Sequence, residues 1–460
     1  MTMSDGVLGV VLAGGEGRRM WPFATVRPKA SLPVANRALV RLLAERLRLA
    51  GVSRLVVVVD ARGGPVRAAL LDLDGVRVLE AQVRGSAQAL LAAWSEAHDS
   101  PALVVPGDVL VSVGDLEQMR RAAEALDGEA SVLVAPMGGE DPNRCLCVRT
   151  EGDALVEVIG HPREASERWT GVCVLSPAFR RYLEANPGLL ENVPVGGMPA
   201  LEPDLAASMA LGLQHGATVR AIRSEGAFVD LDKPWHILQA NHYEAEQLFS
   251  ELKSHRVASS AWVSEAADIE GRLMVAEGAV VGPRVRIRGD VSVGAGAVVD
   301  NGAILQGQVI VGAGARVRDY CQLSDAVVGP NCVVGHGAEF SGVMFAGTYL
   351  YHYCEVVGVL GASVDIGAAT VCGTLRFDDA EKLHQVGGAW ERPPVGANAS
   401  YIGDYSRTGV NAILMPGVKV GAYSCVGPGV VLYEDVPDRT LTLVKQELTV
   451  RPWGPEQYGW

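Results

Sequence analysis

From about residue 260 the chain keeps a six-residue beat. Val263, Ile269, Val275, Val281, Ile287, Val293, Val299, Leu305, Val311, Val317 and Leu323 stand six apart without a break. After a one-residue slip the beat resumes at Val328 and Val334. It returns at Leu360, Ile366 and Cys372, and again at Ile402, Thr408, Leu414, Val420, Val426 and Leu432. A hexapeptide period of apolar residues, several followed by glycine, specifies a parallel β-helix in which each apolar side chain stacks on its counterpart one coil away. The phase breaks between Phe340 and Leu350, and residues 378–400 carry no beat at all. The latter stretch reads as a loop thrown out of the coil, either functional or a plain surface insertion.

Residues 7–235 follow a different rule. Apolar runs such as "VLGVVLAGG", "RLVVVVD", "PALVVPGDVLV" and "WTGVCVLS" alternate with helical stretches such as "ALVRLLAERLRLAG". That alternation implies a doubly wound α/β domain. The segment 236–259 is helical and is expected to link the halves. The tail 436–460, with Trp453 and Trp460, has no readable pattern. The expected domains are therefore 1–235, the linker 236–259, the β-helix 260–435 and the tail.

A chain of 460 residues carrying a net charge of −13 is a poor general binder of nucleic acid or acidic membrane, so any anion site must be local. Eight cysteines include no CxxC pair and sit partly in apolar patterns, as expected of reduced core residues in a cytoplasmic protein. No apolar run approaches the ~18 residues that would read as a membrane span.

The local anion site is legible in "LAGGEGRRMWPFATVRPK". Glycines after a first strand let backbone amides approach phosphate, and Arg19 and Lys29 add cations suited to a triphosphate. Asp108 in "VVPGDVLV" follows an apolar strand, and Asp230 and Asp232 in "AFVDLDKPWHILQAN" follow another. Acidic strand ends on one sheet make a hard-metal site, and such a site facing a basic glycine loop suggests nucleotidyl transfer.

These residues carry a resemblance. "LAGGEGRRMWPFATVRPKASLPV" resembles the signature of sugar-1-phosphate nucleotidylyltransferases, "QVRGSAQAL" is similar to their Q-x-x-G-T-A-x-A segment, and "VDLDKPWHILQAN" to their closing segment. With the hexapeptide half, including "GTLRFDD" and "YIGDYSRTGVNAILMPGVKVG", residues 7–435 resemble the bifunctional N-acetylglucosamine-1-phosphate uridylyltransferase/glucosamine-1-phosphate acetyltransferases, the archaeal type above all. The resemblance implies a Rossmann-like nucleotidyltransferase domain, a C-terminal left-handed β-helix and a homotrimer. It implies that Leu12, Ala13, Gly14, Gly15, Gly17, Gln82, Gly85 and Ser86 bind UTP or dTTP. Arg19 and Lys29 would stabilise the transition state, Asp108 and Asp230 would hold Mg2+, and His161, Thr170 and Glu202 would lie at the sugar phosphate.

Departures lie at the sugar-reading and acyl-transfer positions, and the interval from Gln82 to the following glycine is also short. "VIGHP" puts Gly160 and His161 where relatives have Glu-Lys, and Thr170 stands for an asparagine. In the second half Tyr351 occupies the position of the general-base histidine, with His352 one place off; Cys354 stands for a tyrosine and Thr374 for an asparagine. The β-helix therefore has three readings: assembly alone, acylation of a different acceptor, or the usual acetyl transfer from acetyl-CoA. A regulatory nucleotide-sugar-binding protein without turnover is the remaining alternative.

Overall fold

The first strand among the described residues, β1 (Leu8–Leu12), is largely buried, with β2 (Arg54–Val59) and β4 (Ala102–Pro106) parallel to it on either side. This computed structural model describes residues 6–458 except 83, 96, 98, 126–127, 161 and 187–203. With β3 (Val76–Glu80), β5 (Ala130–Pro136), β6 (Leu146–Glu151), β7 (Ala154–Gly160), β8 (Glu167–Leu175) and β9 (Val219–Arg223), the strands form one sheet in the order β3-β2-β1-β4-β8-β5-β9-β7-β6. β8 runs antiparallel to both β4 and β5, so the order breaks beside β4, at the strand whose end leads to Asp108. Continuous runs such as "LVVVV" suit strands covered on both faces by helices. Here α1 (Leu39–Leu49) and α4 (Val113–Ala125) are among the covering helices, each burying an apolar stripe.

The second half is a parallel coil. Val280 pairs with Val298 and Val298 with Arg316, three hexapeptides per turn. Arg316 then pairs with Val333, one residue short of a full coil, which accounts for the slip in the beat. Val333 pairs with Tyr349 and Tyr349 with Asp365, two residues short each time. The break between Phe340 and Leu350 is thus a tightened corner and not an interruption; Phe340, Met344 and Leu350 remain in the coil core. Asp365 pairs next with Arg407, so the segment 378–400 leaves and re-enters between two stacked coils.

The two halves are not separated by a spacer. The helix α7 (His236–Ser250) buries Ile237, Ala240, Ala245 and Phe249. Those side chains share one apolar cluster with Phe23 and Leu39 of the first half and Ile310, Val343, Phe345 and Tyr401 of the coil. Asn241 fixes the helix from within, accepting from the Ala35 amide at 2.8 Å and donating to the Ile237 carbonyl at 2.8 Å. Among the described residues no helix is long and apolar enough to cross a membrane.

Close stacking of coils leaves no room for side chains at one corner. Gly289 has φ +138°, and a Cβ there would lie 2.1 Å from the Gly307 carbonyl oxygen. Backbone strain and steric conflict then act together, and Gly289→Ala is expected to cost at least about 2 kcal/mol. Thermal unfolding of the full chain should show a lowered β-helix transition; an unchanged transition would mean that this corner relaxes freely.

Candidate active site

The loop after β1 is shaped by what passes beneath it. Gly17 has φ +64°, and a Cβ on it would lie 2.8 Å from Lys29 Cγ, so glycine both permits the turn and clears a path for the lysine stem. Gly14 and Gly15 line the approach beside Asp60; the Gly15 amide donates to Asp60 Oδ2 at 3.4 Å and its carbonyl accepts from Arg62 at 2.6 Å. Leu12 closes the strand, Ala13 is buried beneath the loop, and the Leu12 carbonyl accepts from the Gly107 amide at 2.8 Å. A cleft of about 490 Å3 opens here, lined by Glu16, Gly17, Arg18, Trp21, Thr25 and Arg62.

Two short strands carry the carboxylates. Val109–Leu110 and Val229–Asp230 pair antiparallel, with Asp230 opposite Val109, so Asp230 is brought beside Asp108. Lys29 enters this acidic group. Its Nζ lies 3.2 Å from Asp108 Oδ2 and 2.8 Å from Asp232 Oδ1, and an Arg19 guanidinium nitrogen lies 3.0 Å from the same Asp232 oxygen. Burial works to lower the Lys29 pKa, but the charges of Asp108, Asp232 and Asp230 outweigh it and hold the ammonium above its ordinary value. Burial, with Asp108 and Asp232 close by, pushes the Asp230 carboxyl up to about 6. Asp232 is held below its ordinary value: burial opposes ionisation, and the Lys29 and Arg19 charges overcome it.

Among the described residues no group of three or more His, Cys, Asp or Glu side chains forms a closed metal site. Asp108 and Asp230 instead offer the open, two-carboxylate arrangement that suits a hard cation completed by substrate phosphates. Burial is the larger cause of the upward shift at Asp230, and the Asp108 and Asp232 charges add to it; a cation between the two carboxylates would offset both.

Other expected residues are placed less centrally. Gln82 is exposed; Gly85 opens the helix α3 (Gly85–Trp94), and the Ser86 hydroxyl accepts from the Leu205 amide at 2.8 Å. Thr170 is buried with its hydroxyl already engaged, donating to the Leu133 carbonyl at 2.8 Å and accepting from the Val172 amide at 3.2 Å. It braces the irregularity in β8 and does not present its hydroxyl to a sugar. His161 and Glu202 lie outside the described residues. On the coil Tyr351 and His352 are exposed at one corner, whereas Cys354 points inward, its Sγ 3.2 Å from the Gly367 carbonyl oxygen. Thr374 sits at the start of the insertion, its carbonyl accepting from Asn398 at 3.0 Å.

Sequence reasoning singled out Asp108 and Asp230 but gave Asp232 no role of its own, although it anchors both cations. It also missed the ring of charge behind Asp232. His236 Nδ1 accepts from the Asp232 and Lys233 amides at 3.1 and 3.3 Å, and its Nε2 lies 3.2 Å from Glu140. Burial would raise the Glu140 carboxyl, but His236, Lys233 and Arg168 hold it down to about 2. The string "DLDKPWH" was the available signal: an ionisable residue directly after two aspartates and another three places on.

Comparison with known proteins divides the chain in the same way. Residues 9–172 match the MobA-like NTP transferase domain, and residues 399–434 match the bacterial transferase hexapeptide (six repeats). The chain is therefore an N-terminal nucleotidyltransferase domain followed by C-terminal hexapeptide repeats. It is 24% identical to a bifunctional sugar-1-phosphate nucleotidylyltransferase/acetyltransferase of Sulfurisphaera tokodaii, over 93% of this chain and 97% of that one. It is 26% identical to the bifunctional protein GlmU of Methanococcus maripaludis over 96% and 98%, and 26% identical to that of Chromobacterium violaceum over 96% and 97%.

The Lys29 arrangement makes a specific prediction. Removing one partner of a buried ion pair costs about 3–5 kcal/mol, so Lys29→Met should melt well below the wild type in chelator. Added Mg2+ should raise the variant's melting temperature more than the wild type's, by supplying the missing charge. Equal shifts would place the cation elsewhere.

Proposed function

We propose that this chain is a Mg2+-dependent sugar-1-phosphate nucleotidylyltransferase acting on UTP or dTTP. One observation carries the reading: the glycine loop and two separate strand ends bring Arg19, Lys29, Asp108 and Asp232 within 2.8–3.2 Å contacts of one another, and strand pairing sets Asp230 opposite Val109 beside them. The nucleoside triphosphate lies along residues 12–17 with its phosphates on the loop amides. An oxygen of the sugar phosphate attacks the α-phosphorus, the bond to the β-phosphate bridging oxygen breaks, and pyrophosphate leaves with that electron pair. The nucleophile is already ionised, so no general base is required; positioning and charge stabilisation suffice. Arg19 and Lys29 neutralise charge that develops on the α-phosphoryl oxygens and the leaving group. Mg2+, held by Asp108 and Asp230 when bound, supplies the charge that lets two phosphates approach each other. The β-helix assembles three copies of a cytoplasmic enzyme.

The test is pyrophosphate release across five nucleoside triphosphates and a panel of sugar 1-phosphates. A signal confined to a pyrimidine triphosphate with one sugar phosphate is expected, and Asp108→Asn should abolish it. Retention of full rate by Asp108→Asn would remove the metal assignment. Silence across the grid from protein that still binds nucleotide would favour the regulatory alternative.

Acyl transfer is a second reading, favoured by a different observation. His336 Nδ1 lies 2.8 Å from Asp319 Oδ2, and its ring meets Tyr320 and Tyr353 edge-on at 5.8 and 5.5 Å. His352, one coil on, packs edge-on against Tyr351 and Tyr353. A carboxylate at Nδ1 fixes the tautomer that leaves Nε2 as a base, so His336 is the better-held candidate. With acetyl-CoA and an amino-sugar phosphate, His336→Ala should abolish CoA release and His352→Ala should leave most of it. No CoA release from the wild type would confine the β-helix to assembly.

A further inference from the structure

The segment 378–400, which breaks the hexapeptide beat, folds into a hairpin, with His384–Val386 and Ala389–Glu391 paired antiparallel. Its turn is Gly387–Gly388, both at positive φ. The hairpin is rooted in the coil. His384 Nε2 donates to the Ala397 carbonyl at 2.7 Å, Lys419 Nζ donates to the Gln385 carbonyl at 3.1 Å, and the His384 ring packs against Tyr401.

The turn Gly387–Gly388 is exposed, but one face of the hairpin packs on the first half. Val386 is buried in the apolar cluster shared by the two halves, and His384 packs on Trp235. At the tip, a Cβ on Gly387 would lie 3.8 Å from Arg19 Cγ, so the turn rests against the arginine of the glycine loop. On the returning strand a Glu391 carboxylate oxygen lies 2.7 Å from Lys233 Nζ, and the other lies 3.9 Å from Arg144 Nε. Lys233 directly follows Asp232, and only 5% of its side chain is exposed, against 10% for Glu391. A buried pair of this kind is a weak source of net stability but a strong constraint on position, because an uncompensated lysine there is costly.

The same group borders the altered sugar-reading strand. Gly160 pairs with Leu146, two residues from Arg144, and Arg168 pairs with Cys147. The Nε atoms of Arg144 and Arg168 are buried without a hydrogen-bond partner. Three cations, Lys233, Arg144 and Arg168, therefore gather around Glu140 and Glu391 at the end of the strand where the expected Glu-Lys pair is absent.

We propose that the hairpin carried by the β-helix forms the acceptor wall of the nucleotidyl-transfer site in the same chain. Glu391 is a positioning residue that holds Lys233 and Arg144 for the phosphate of the incoming sugar phosphate. This rests on the nucleotidyl-transfer reading above. The β-helix then contributes to the first reaction directly, by a route independent of any acyl transfer and of any assembly of copies.

The experiment compares Glu391→Gln, Glu391→Asp and Trp390→Ala in the full-length chain, the last because Trp390 lies on the solvent side of the same strand. Glu391→Gln should raise the KM for sugar 1-phosphate by about tenfold or more, the scale set by misplacing a substrate-positioning group. The KM for the triphosphate should stay within about twofold in the same variant, because Gly14–Gly17 and Lys29 are untouched. Glu391→Asp should recover part of the loss, and Trp390→Ala should match the wild type. A purely structural role would move both KM values together or neither, and either result overturns the proposal. Hydrogen exchange of residues 230–236 gives a readout independent of turnover, and it should quicken in Glu391→Gln. If the wild type turned over no sugar phosphate, the nucleotidyl-transfer reading would fail. Unchanged exchange would overturn the positioning role whether or not turnover is seen.

Discussion

The structure turns on a lysine held among aspartates. Lys29 Nζ touches Asp108 and Asp232, and the charge of Asp230 acts on it as well. Each of these groups arrives on a different piece of backbone: the signature loop, the end of β4 and the short strand before α7. A buried ammonium is tolerated only where carboxylates surround it, and crowded carboxylates are tolerated only where a cation sits between them. The arrangement therefore requires the whole first half to fold correctly, and in the proposed reaction it would leave two carboxylates for a metal once phosphates draw the lysine away.

The second half supports that centre from behind. Trp21 of the signature loop donates to Asp438 at 2.9 Å, and Thr25 donates to the other oxygen of the same carboxylate at 3.0 Å. Arg27 pairs with the buried Asp404 of the coil, and Phe23 meets Phe345 at 5.5 Å. The glycine loop and the residues after it are thus seated on coils of the β-helix. Burial pushes the Asp404 carboxyl up, and the neighbouring Arg27 charge opposes that shift, as expected of an ion pair sealed between two halves. A regularly stacked coil beneath the loop would favour the preorganised charge on which the proposed chemistry depends.

Much of this was legible in the sequence because periodic apolar residues report packing directly. The residues at six-residue spacing from Val275 to Leu323 all lie in the coil core. The strand ends at Asp108 and Asp230 were legible for a similar reason, since an acidic residue after a buried run marks the rim of a sheet. What was not legible depended on contacts between distant segments. Nothing around Glu391 announces a partner, because Lys233 lies in the other half of the chain. Thr170 looked like a sugar contact until its hydroxyl was found bound to the Leu133 carbonyl. The linker helix was expected to join the halves, but its packing on both was not legible, because neither half alone predicts the shared buried face.

The most direct test of the central claim is anomalous diffraction from crystals grown with Mn2+ and a non-hydrolysable nucleoside triphosphate. The account predicts one manganese peak between the carboxylates of Asp108 and Asp230, with phosphate oxygens completing its coordination and Lys29 turned from Asp108 toward phosphate. Manganese bound elsewhere, or nucleotide bound along the glycine loop with Lys29 still locked between Asp108 and Asp232 and no metal beside them, would contradict it.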